Sequence, residues 1–275
     1  MPTKIALATK HGKFAQIAPW FEQLSEFELV LAEIDTDQFG TFSGEIPRTL
    51  SPRDAAIAKA RAGAESAGSD FGLASEGSVG PHPQFPWVNA DHEVLALVCL
   101  SRDFAVVESF VSTEIFAKSE SITASDQLDG IGQRFDLPKH AAIVSWRFGN
   151  QVEVRKGITD AAELVSLLAE LLAQGASAIK VESDLRAMHS PSRQRNIEQC
   201  AQRLVARIAS HCPGCNEIGW GRIGFEYGLP CGDCFEIVEA AAHSERFGCV
   251  ACDHTETISL GLETIDAARC NYCNP

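Results

Sequence analysis

Four Cys-x-x-Cys pairs, all beyond residue 211, constrain this chain more than any other feature of its sequence. Two thiolates three residues apart on a tight turn can bind one edge of a tetrahedral zinc ion, and a second such turn completes the site. Eight thiolates therefore predict two structural zinc sites of four cysteines each. The eight cysteines are Cys212, Cys215, Cys231, Cys234, Cys249, Cys252, Cys270 and Cys273.

Metal binding is favoured over the other uses of paired cysteines. The sequence begins MPTKIALATK, without the apolar segment of a secretory signal, so we expect a cytoplasmic location, where disulfides are rare. Redox motifs usually occur once, at the start of a helix, and not four times in loops. An iron–sulfur cluster is the remaining, less favoured, alternative. The isolated Cys99 and Cys200 fall on apolar faces and are expected in the core.

The pairing of the four Cys-x-x-Cys units is open at this stage. The 14 residues between Cys234 and Cys249, FEIVEAAAHSERFG, have the pattern of a zinc-ribbon hairpin. This pattern favours a site shared by the second and third pairs, and another shared by the first and fourth. Sequential pairing is an almost equal alternative. Because a four-cysteine site has no open coordination position, we expect it to support folding and not catalysis.

Composition limits the classes of partner. Hydrophobic residues make up 45% of the chain, which is enough for a packed core. The formal net charge of −14 disfavours broad, sequence-independent binding to nucleic acid but leaves room for a local basic pocket. No run approaches 18 apolar residues, so we expect no membrane association.

The order of the elements predicts a mixed α/β body. Short apolar runs (4–9, 27–34 and 70–75) alternate with helical patterns, one of which begins at the N-cap Ser51. Two hairpins and three further helices follow. We therefore predict an α/β domain over 1–185, a connecting helix over 186–211 and a zinc-binding module over 212–275. The hairpins are expected over 94–117 and 140–158, and the helices over 124–135, 159–175 and 196–210.

A carboxylate surrounded by small residues marks a candidate ligand site. Glu76 follows the third predicted strand, where α/β folds place ligands, and Gly77 would let a phosphate approach closely. Carboxylates beside lysines and helix starts are typical of a site for Mg²⁺ and polyphosphate. Further candidates for this site are Thr9, Lys10, Lys13, Glu45, Arg48, Asp91 and Glu93.

Residues 1–83 resemble the non-canonical purine nucleoside triphosphate pyrophosphatases, the inosine/xanthosine triphosphatase family. The resemblance lies in the turn Ala8-Thr9-Lys10-His11-Gly12-Lys13, the loop from Phe39 to Glu45, the helix from Ala56 to Arg61, and the acidic turn Ala74-Ser75-Glu76-Gly77-Ser78. The asparagine usual in the first turn is replaced by Lys10 or His11. The whole chain, with its motifs GLPCGDC and CNYCNP, also looks like an uncharacterised bacterial family with a zinc-ribbon tail.

The resemblance implies a triphosphatase-like fold and a metal-dependent pyrophosphohydrolase. Glu45 and Glu76, with Glu93, would hold Mg²⁺ or Mn²⁺. Lys13 and Lys59 would neutralise the triphosphate, next to the turn that carries Gly77 and Ser78. Water would attack the α-phosphorus and release pyrophosphate.

A second cluster of cations is predicted around the helix start Ser190-Pro191-Ser192. Arg186 and Arg193 flank this start and could complete the nucleotide pocket or bind RNA phosphate. The main alternative to an enzyme is a non-catalytic protein that binds a nucleotide or phosphorylated ligand and contacts RNA or protein through its zinc module. Convergence of Lys13, Glu45 and Glu76 would favour the enzyme, whereas a pocket filled by Phe39 or Trp87 would favour the binding protein.

Overall fold

The computed structural model describes residues 2–9, 12–39 and 49–275. Its helices are α1 (Phe14–Phe21), α2 (Pro52–Ala67), α3 (Ile131–Arg134), α4 (Ala161–Ala173) and α5 (Pro191–Ile208). Its strands are β1 (Thr3–Ala8), β2 (Phe27–Leu31), β3 (Phe71–Pro81), β4 (Asn89–Cys99), β5 (Phe104–Ser112), β6 (Ser119–Ile122), β7 (Ala142–Phe148), β8 (Gln151–Ile158), β9 (Ser177–Ser183), β10 (Gly221–Pro230), β11 (Ile237–Gly248) and β12 (Thr255–Ser259).

The first sheet is mixed, as the sequence predicts. Its strand order is β2-β1-β3-β4-β5, in which β1 runs parallel to β2 and β3, and the other pairs are antiparallel. Helix α2 covers one face, and α1 and α5 cover the other. The core on the second face combines strand residues such as Leu73 and Leu95 with Leu204 of α5.

Helix α2 lies directly on β3 because both elements present small residues. The Oγ of Ser51 caps the helix by accepting a hydrogen bond from Asp54 N at 3.1 Å, which confirms the predicted start. A Cβ atom on Gly72 would overlap the backbone carbonyl of Ala60. The alanine-rich sequence of α2 therefore brings the side chains of this helix close to β3 and β4.

The second sheet has the order β6-β9-β7-β8 and is antiparallel throughout. Its core includes Phe135, Val144 and Leu168, with α4 packed on it. The carboxylate of Asp160 caps α4 by accepting hydrogen bonds from two backbone amides at 2.6 and 3.0 Å. The β7–β8 hairpin turns at Gly149, whose φ of +59° favours glycine.

Three predicted elements differ in the structure. Strand β3 does not end before Glu76 but continues to Pro81, because it pairs with β4 along its whole length. Strand β2 ends at Leu31, and its predicted extension to residue 34 is not part of the strand. The helix predicted over 124–135 consists of a 3₁₀ turn at Ser125–Leu128 and the short α3.

Helix α5 belongs to the core of the first sheet. Residues Ile197, Cys200, Leu204 and Ile208 are fully buried against that sheet, so the predicted connecting helix is packed along its length. The domain boundaries at 185 and 211 remain predictions.

The third sheet, β10-β11-β12, is antiparallel and carries the paired cysteines at its two ends. It contacts the first sheet through Ile218 and Val250, and a Cβ on Gly219 would overlap Val106 of β5. None of the helices in the described part of the chain has both the length and the apolar character needed to cross a bilayer.

Candidate functional site

A cluster of buried charged residues lies where β1 ends and the β3–β4 hairpin continues beyond it. The last pair of β1 with β3 joins Ala8 to Ala74, and Glu76 follows two residues later on β3. Lys13 lies just before α1, at the same edge of the sheet. The topology thus brings together residues that are far apart in the sequence, at the edge where α/β folds place ligands.

Glu76 faces α2. Its carboxylate forms an ion pair with the ammonium of Lys59, and both side chains are more than nine-tenths buried. A buried carboxylate needs such a partner, because removal from water disfavours its charge. Glu76 also takes part in interactions other than this ion pair.

Glu93 and Asp91 face α5, on the opposite side of the first sheet. Both are completely buried. Arg193 Nε lies 2.5 Å from Glu93 Oε1 and 3.8 Å from Asp91 Oδ1, while Asn196 Nδ2 donates to Asp91 Oδ2 at 2.8 Å. Because residues 91 and 93 alternate with residue 92 along β4, they share one face, and Arg193 and Asn196 reach them from one side of α5.

Lys13 is the third cation of the cluster. Its Nζ lies 3.9 Å from Glu93 Oε2, and the residue is only 8% exposed. Burial lowers the pKa of Lys13 to about 8, although the neighbouring carboxylate of Glu93 opposes this shift. Lys13 is therefore charged at neutral pH but close to its titration range.

Asp91 has the opposite shift. Burial, followed by repulsion from the carboxylate of Glu93, raises the pKa of Asp91 to about 7, and the hydrogen bond from Asn196 and the charge of Arg193 only partly oppose the shift. A carboxyl group that titrates near neutrality can both accept and donate a proton at physiological pH.

For two carboxylate oxygens in this cluster, no hydrogen-bond donor is found among the described residues. Asp91 Oδ1 and Glu93 Oε2 are buried and unsatisfied, apart from the longer ionic contacts with Arg193 and Lys13. Buried polar atoms of this kind are uncommon in native proteins. These two oxygens are therefore candidate ligand atoms.

Gly77 makes the cluster possible. It lies opposite Glu93 in the β3–β4 ladder, and a Cβ at this position would overlap both the guanidinium of Arg193 and the carboxylate of Glu93. The glycine is therefore needed for space, and its contact with a phosphate stays a prediction.

The structure brings together seven of the residues that the sequence predicted: Lys13, Lys59, Glu76, Gly77, Asp91, Glu93 and Arg193. Their roles remain predictions. Glu76 and Glu93 turn to opposite faces of the sheet, each beside its own cation, so the described residues provide no group of three carboxylates for a metal. Lys10, Glu45 and Arg48 lie outside the described residues.

The other predicted phosphate ligands have different surroundings. Thr9 and Ser78 are half-buried, the first just after β1 and the second within β3. The guanidinium of Arg186 binds the buried carboxylate of Asp184, with Nη2–Oδ2 at 2.6 Å. Trp87 is 80% exposed and fills no pocket, and Phe39 is half-buried.

Asn196 was missed in the sequence analysis. It lies three residues after Arg193 on α5, which places the two side chains on one face of the helix. This spacing was visible in the sequence, but its target on β4 was not. Asp91 was predicted only as a further carboxylate of the metal and phosphate site, and that role stays a prediction.

The two predicted four-cysteine groups are present, and they interleave. One group contains the first and third Cys-x-x-Cys pairs and the other contains the second and fourth. Within each group, the distances between a sulfur of one pair and a sulfur of the other range from 3.6 to 3.9 Å. Zn–S bonds of 2.3 Å in tetrahedral geometry place sulfurs about 3.8 Å apart, so both groups fit structural zinc.

Backbone amides support each Cys-x-x-Cys turn. The first sulfur of every pair accepts a hydrogen bond from the amide two residues later, at 3.3 to 3.5 Å. Amides of Cys234 and Asp233 lower the pKa of Cys231 to about 7, which favours the thiolate that binds metal.

The pairing favoured by the sequence, second with third and first with fourth, is wrong, and so is the sequential alternative. The segment between Cys234 and Cys249 forms one long strand, β11, and not a hairpin. A ten-residue strand such as β10 spans about 33 Å, so the pairs at its two ends cannot share a metal. The pair before β10 therefore meets the pair after β11, since these strands are antiparallel.

Comparison with protein families gives one assignment. Residues 59–275, well over half of the chain, match the model of a domain of unknown function, DUF6671. The chain belongs to the DUF6671 family. The match includes all eight paired cysteines and the cluster residues from Lys59 onwards, and it begins after Lys13.

The family assignment agrees with the predicted resemblance to an uncharacterised family. The resemblance to nucleoside triphosphate pyrophosphatases has no support from a family match and rests on residues 1–83 alone. No curated protein matches the DUF6671 chain.

Proposed function

We propose that this DUF6671 protein is a hydrolase dependent on Mg²⁺ or Mn²⁺ that acts on a nucleoside triphosphate or a related phosphorylated small molecule. One observation carries the proposal: two buried carboxylate oxygens, Asp91 Oδ1 and Glu93 Oε2, have no hydrogen-bond donor among the described residues, in a cluster that also holds Lys13 and Arg193. Perturbed, buried ionisable groups of this kind are enriched at active sites.

The donor set fits a hard divalent cation. Carboxylate oxygens are the protein ligands that Mg²⁺ prefers, and this ion needs only one or two of them because it keeps water and phosphate ligands. Among the described residues, Glu93 Oε2 is the oxygen available for this purpose, since Glu76 faces α2 on the other side of the sheet. When bound, the ion would neutralise phosphate oxygens and polarise the phosphorus.

The other residues would bind phosphate and move a proton. Lys13 and Arg193 are suited to orient phosphate oxygens, since both are cationic at neutral pH and closely confined. Asp91 Oδ1 would accept a proton from the attacking water as the bond between phosphorus and the departing phosphate oxygen breaks. The pKa of Asp91, about 7, suits this role.

A turnover screen tests the proposal. Zinc-loaded protein would be incubated with Mg²⁺ or Mn²⁺ and a panel of ordinary and deaminated nucleoside triphosphates, and anion exchange would separate the products. We expect monophosphate and pyrophosphate, with at least about a hundredfold loss of rate in Glu93→Gln. Glu120→Gln is the control, since Glu120 forms an ion pair with Arg134 beside the second sheet; this variant should keep the wild-type rate.

A non-catalytic binding protein is the second candidate function. It is favoured by the ion pairs themselves, because Glu76 with Lys59 and Glu93 with Arg193 also resemble a structural network of buried charges. If no nucleotide in the panel is hydrolysed but one binds in equilibrium dialysis, and Lys13→Met removes the binding, this second function replaces the first.

A further inference from the structure

A groove runs between the first sheet and the zinc-bearing third sheet, with His92 and Val94 of β4 in its wall. Its deeper part has a volume of about 700 Å³, and a shallower part of about 480 Å³ continues from it. The two parts share Glu108, Arg207 and Arg222 in their walls. The result is one open channel from the start of α2, across β5 and α5, to the start of β10.

Arginines dominate the charge of this groove. Among the described residues that line it, four are arginines and one is a glutamate: Arg53, Arg203, Arg207, Arg222 and Glu108. The arginines come from three elements, α2, α5 and β10. The net charge of −14 does not cancel this local excess, since charges beyond about 8 Å are screened at physiological salt.

Arg203 and Arg222 are the most open of the lining arginines with described contacts, whereas Arg207 already donates to Gly219 O, Val107 O and Glu108 Oε1. Arg203 donates one hydrogen bond, to Ser109 O at 3.1 Å, and lies 4.7 Å from the ring of Phe110. The side chain of Arg222 is 52% exposed and is paired with Glu245. A guanidinium has five N–H donors, so contacts of this kind orient the group without using up its capacity for phosphate.

Aromatic residues follow the arginines along β10. This strand forms one edge of its sheet, and Phe225 and Tyr227 are exposed there, with ring centroids 6.1 Å apart. Arg222 lies over the ring of Phe225 at 4.8 Å. An open basic groove that leads to exposed aromatic rings is the arrangement that binds single strands, in which the arginines contact phosphates and the rings stack on bases.

We propose that this groove and the exposed face of β10 bind single-stranded nucleic acid. The deeper part would hold nucleotides against Arg207 and Arg222, and the strand would continue over Phe225 and Tyr227. Cys249 of the first four-cysteine group lines the same groove, so zinc would fix the wall that the nucleic acid contacts. This proposal does not depend on the proposed hydrolase.

Fluorescence anisotropy with labelled 12-nucleotide oligo(U) and oligo(dT) tests the site on the zinc-loaded full chain. We expect binding that weakens as salt rises from 50 to 200 mM. Arg222→Ala and Arg203→Ala should each weaken binding about tenfold and make its salt dependence shallower. Tyr227→Ala should weaken binding by a similar factor with an unchanged salt dependence.

Arg269→Ala is the matched control. Arg269 is also an exposed arginine of the zinc-bearing part, but it precedes Cys270, at the opposite end of β10. Absence of binding at 50 mM salt, or equal losses in Arg269→Ala and Arg222→Ala, would overturn the proposal. Uridine monophosphate should compete more weakly, per phosphate, than the unlabelled oligonucleotide. If the two compete equally well, the groove binds a small phosphorylated ligand and the proposal is overturned. Glu93→Gln should bind the oligonucleotide normally, which separates this result from any failure of the hydrolase proposal.

Discussion

At the scale of single residues, the protein contains a cluster of buried charges whose desolvation lowers its stability. Lys59 with Glu76, and Arg193 with Glu93, are placed on opposite faces of the first sheet, and each pair is almost completely buried. Such pairs rarely stabilise a fold more than apolar residues of the same size would, because desolvation offsets their attraction. This cost is the physical reason for assigning the cluster a function.

Gly77 gives a sharp test of the cluster. In Gly77→Ala, the new methyl group should overlap Arg193 and Glu93 and lower the free energy of unfolding by about 2 kcal/mol. Gly80→Ala, on the same strand, is the control, since a Cβ there meets no atom within 4 Å. We expect it to change stability by less than about 0.5 kcal/mol. Equal denaturation midpoints for the two variants would contradict the described packing.

Asp91 should make stability depend on pH. The folded state keeps the proton of this carboxyl up to pH 7, whereas the unfolded state loses it near 3.8, so the free energy of unfolding should fall as pH rises between these values. From pH 5 to pH 7 the loss from Asp91 alone is about 2 kcal/mol.

Asp91→Asn removes this titration. In thermal denaturation, the stability of the variant relative to the wild type should therefore increase between pH 5 and pH 7. Asp126→Asn, at an exposed position, is the control and should follow the wild-type curve. If both variants show the same dependence of stability on pH as the wild type, Asp91 does not retain its proton in the folded protein.

At the scale of elements, strand length decides how the cysteines share zinc. β10 and β11 form one long antiparallel hairpin, with the second Cys-x-x-Cys pair at its tip and the first and third pairs at its open end. Strand β12 then runs back along β11 and leads the chain to the tip, where the fourth pair meets the second.

Double variants distinguish this arrangement from the two pairings that the sequence allowed. Cys212→Ser with Cys252→Ser should lose one zinc of two, because both residues belong to one group. Cys212→Ser with Cys273→Ser, and Cys212→Ser with Cys231→Ser, should lose both ions. Native mass spectrometry counts the metals, and retention of one zinc in either of the last two variants would refute the interleaved arrangement.

At the scale of the whole molecule, three sheets depend on cores of unequal size. The first two sheets have large apolar cores, whereas the described core of the third consists of Val238 with Cys231 and Cys270, and β12 is exposed throughout. A sheet with so little apolar burial needs another source of stability, and bound zinc supplies it.

Chelation should therefore unfold one part of the protein. After treatment with EDTA, we expect fast hydrogen exchange in β10, β11 and β12, while β1, β3 and α5 stay protected. Exchange measured by mass spectrometry on the full chain checks this. Loss of protection in all of these elements together would show that zinc also maintains the first sheet.

Several features were predictable because they depend on local chemistry. The start of α2 at Ser51 and the cap of α4 at Asp160 follow from side chains that satisfy free backbone amides. The number of four-cysteine groups follows from the count and spacing of the thiols. The length of β3 was not predictable from its own residues, since Gly77 and Gly80 discourage a strand and only pairing with β4 sustains one.

The sequence by itself determined that this chain forms a mixed α/β body, and that eight cysteines at Cys-x-x-Cys spacing form two four-cysteine groups. The tertiary structure alone decided which pairs share a group, that Glu76 and Glu93 turn to opposite faces, and that Asn196 reaches Asp91. The reason is physical. Caps and metal-binding turns depend on residues a few positions apart, whereas these contacts join residues up to 105 positions apart, which only the packing of strands and helices brings together.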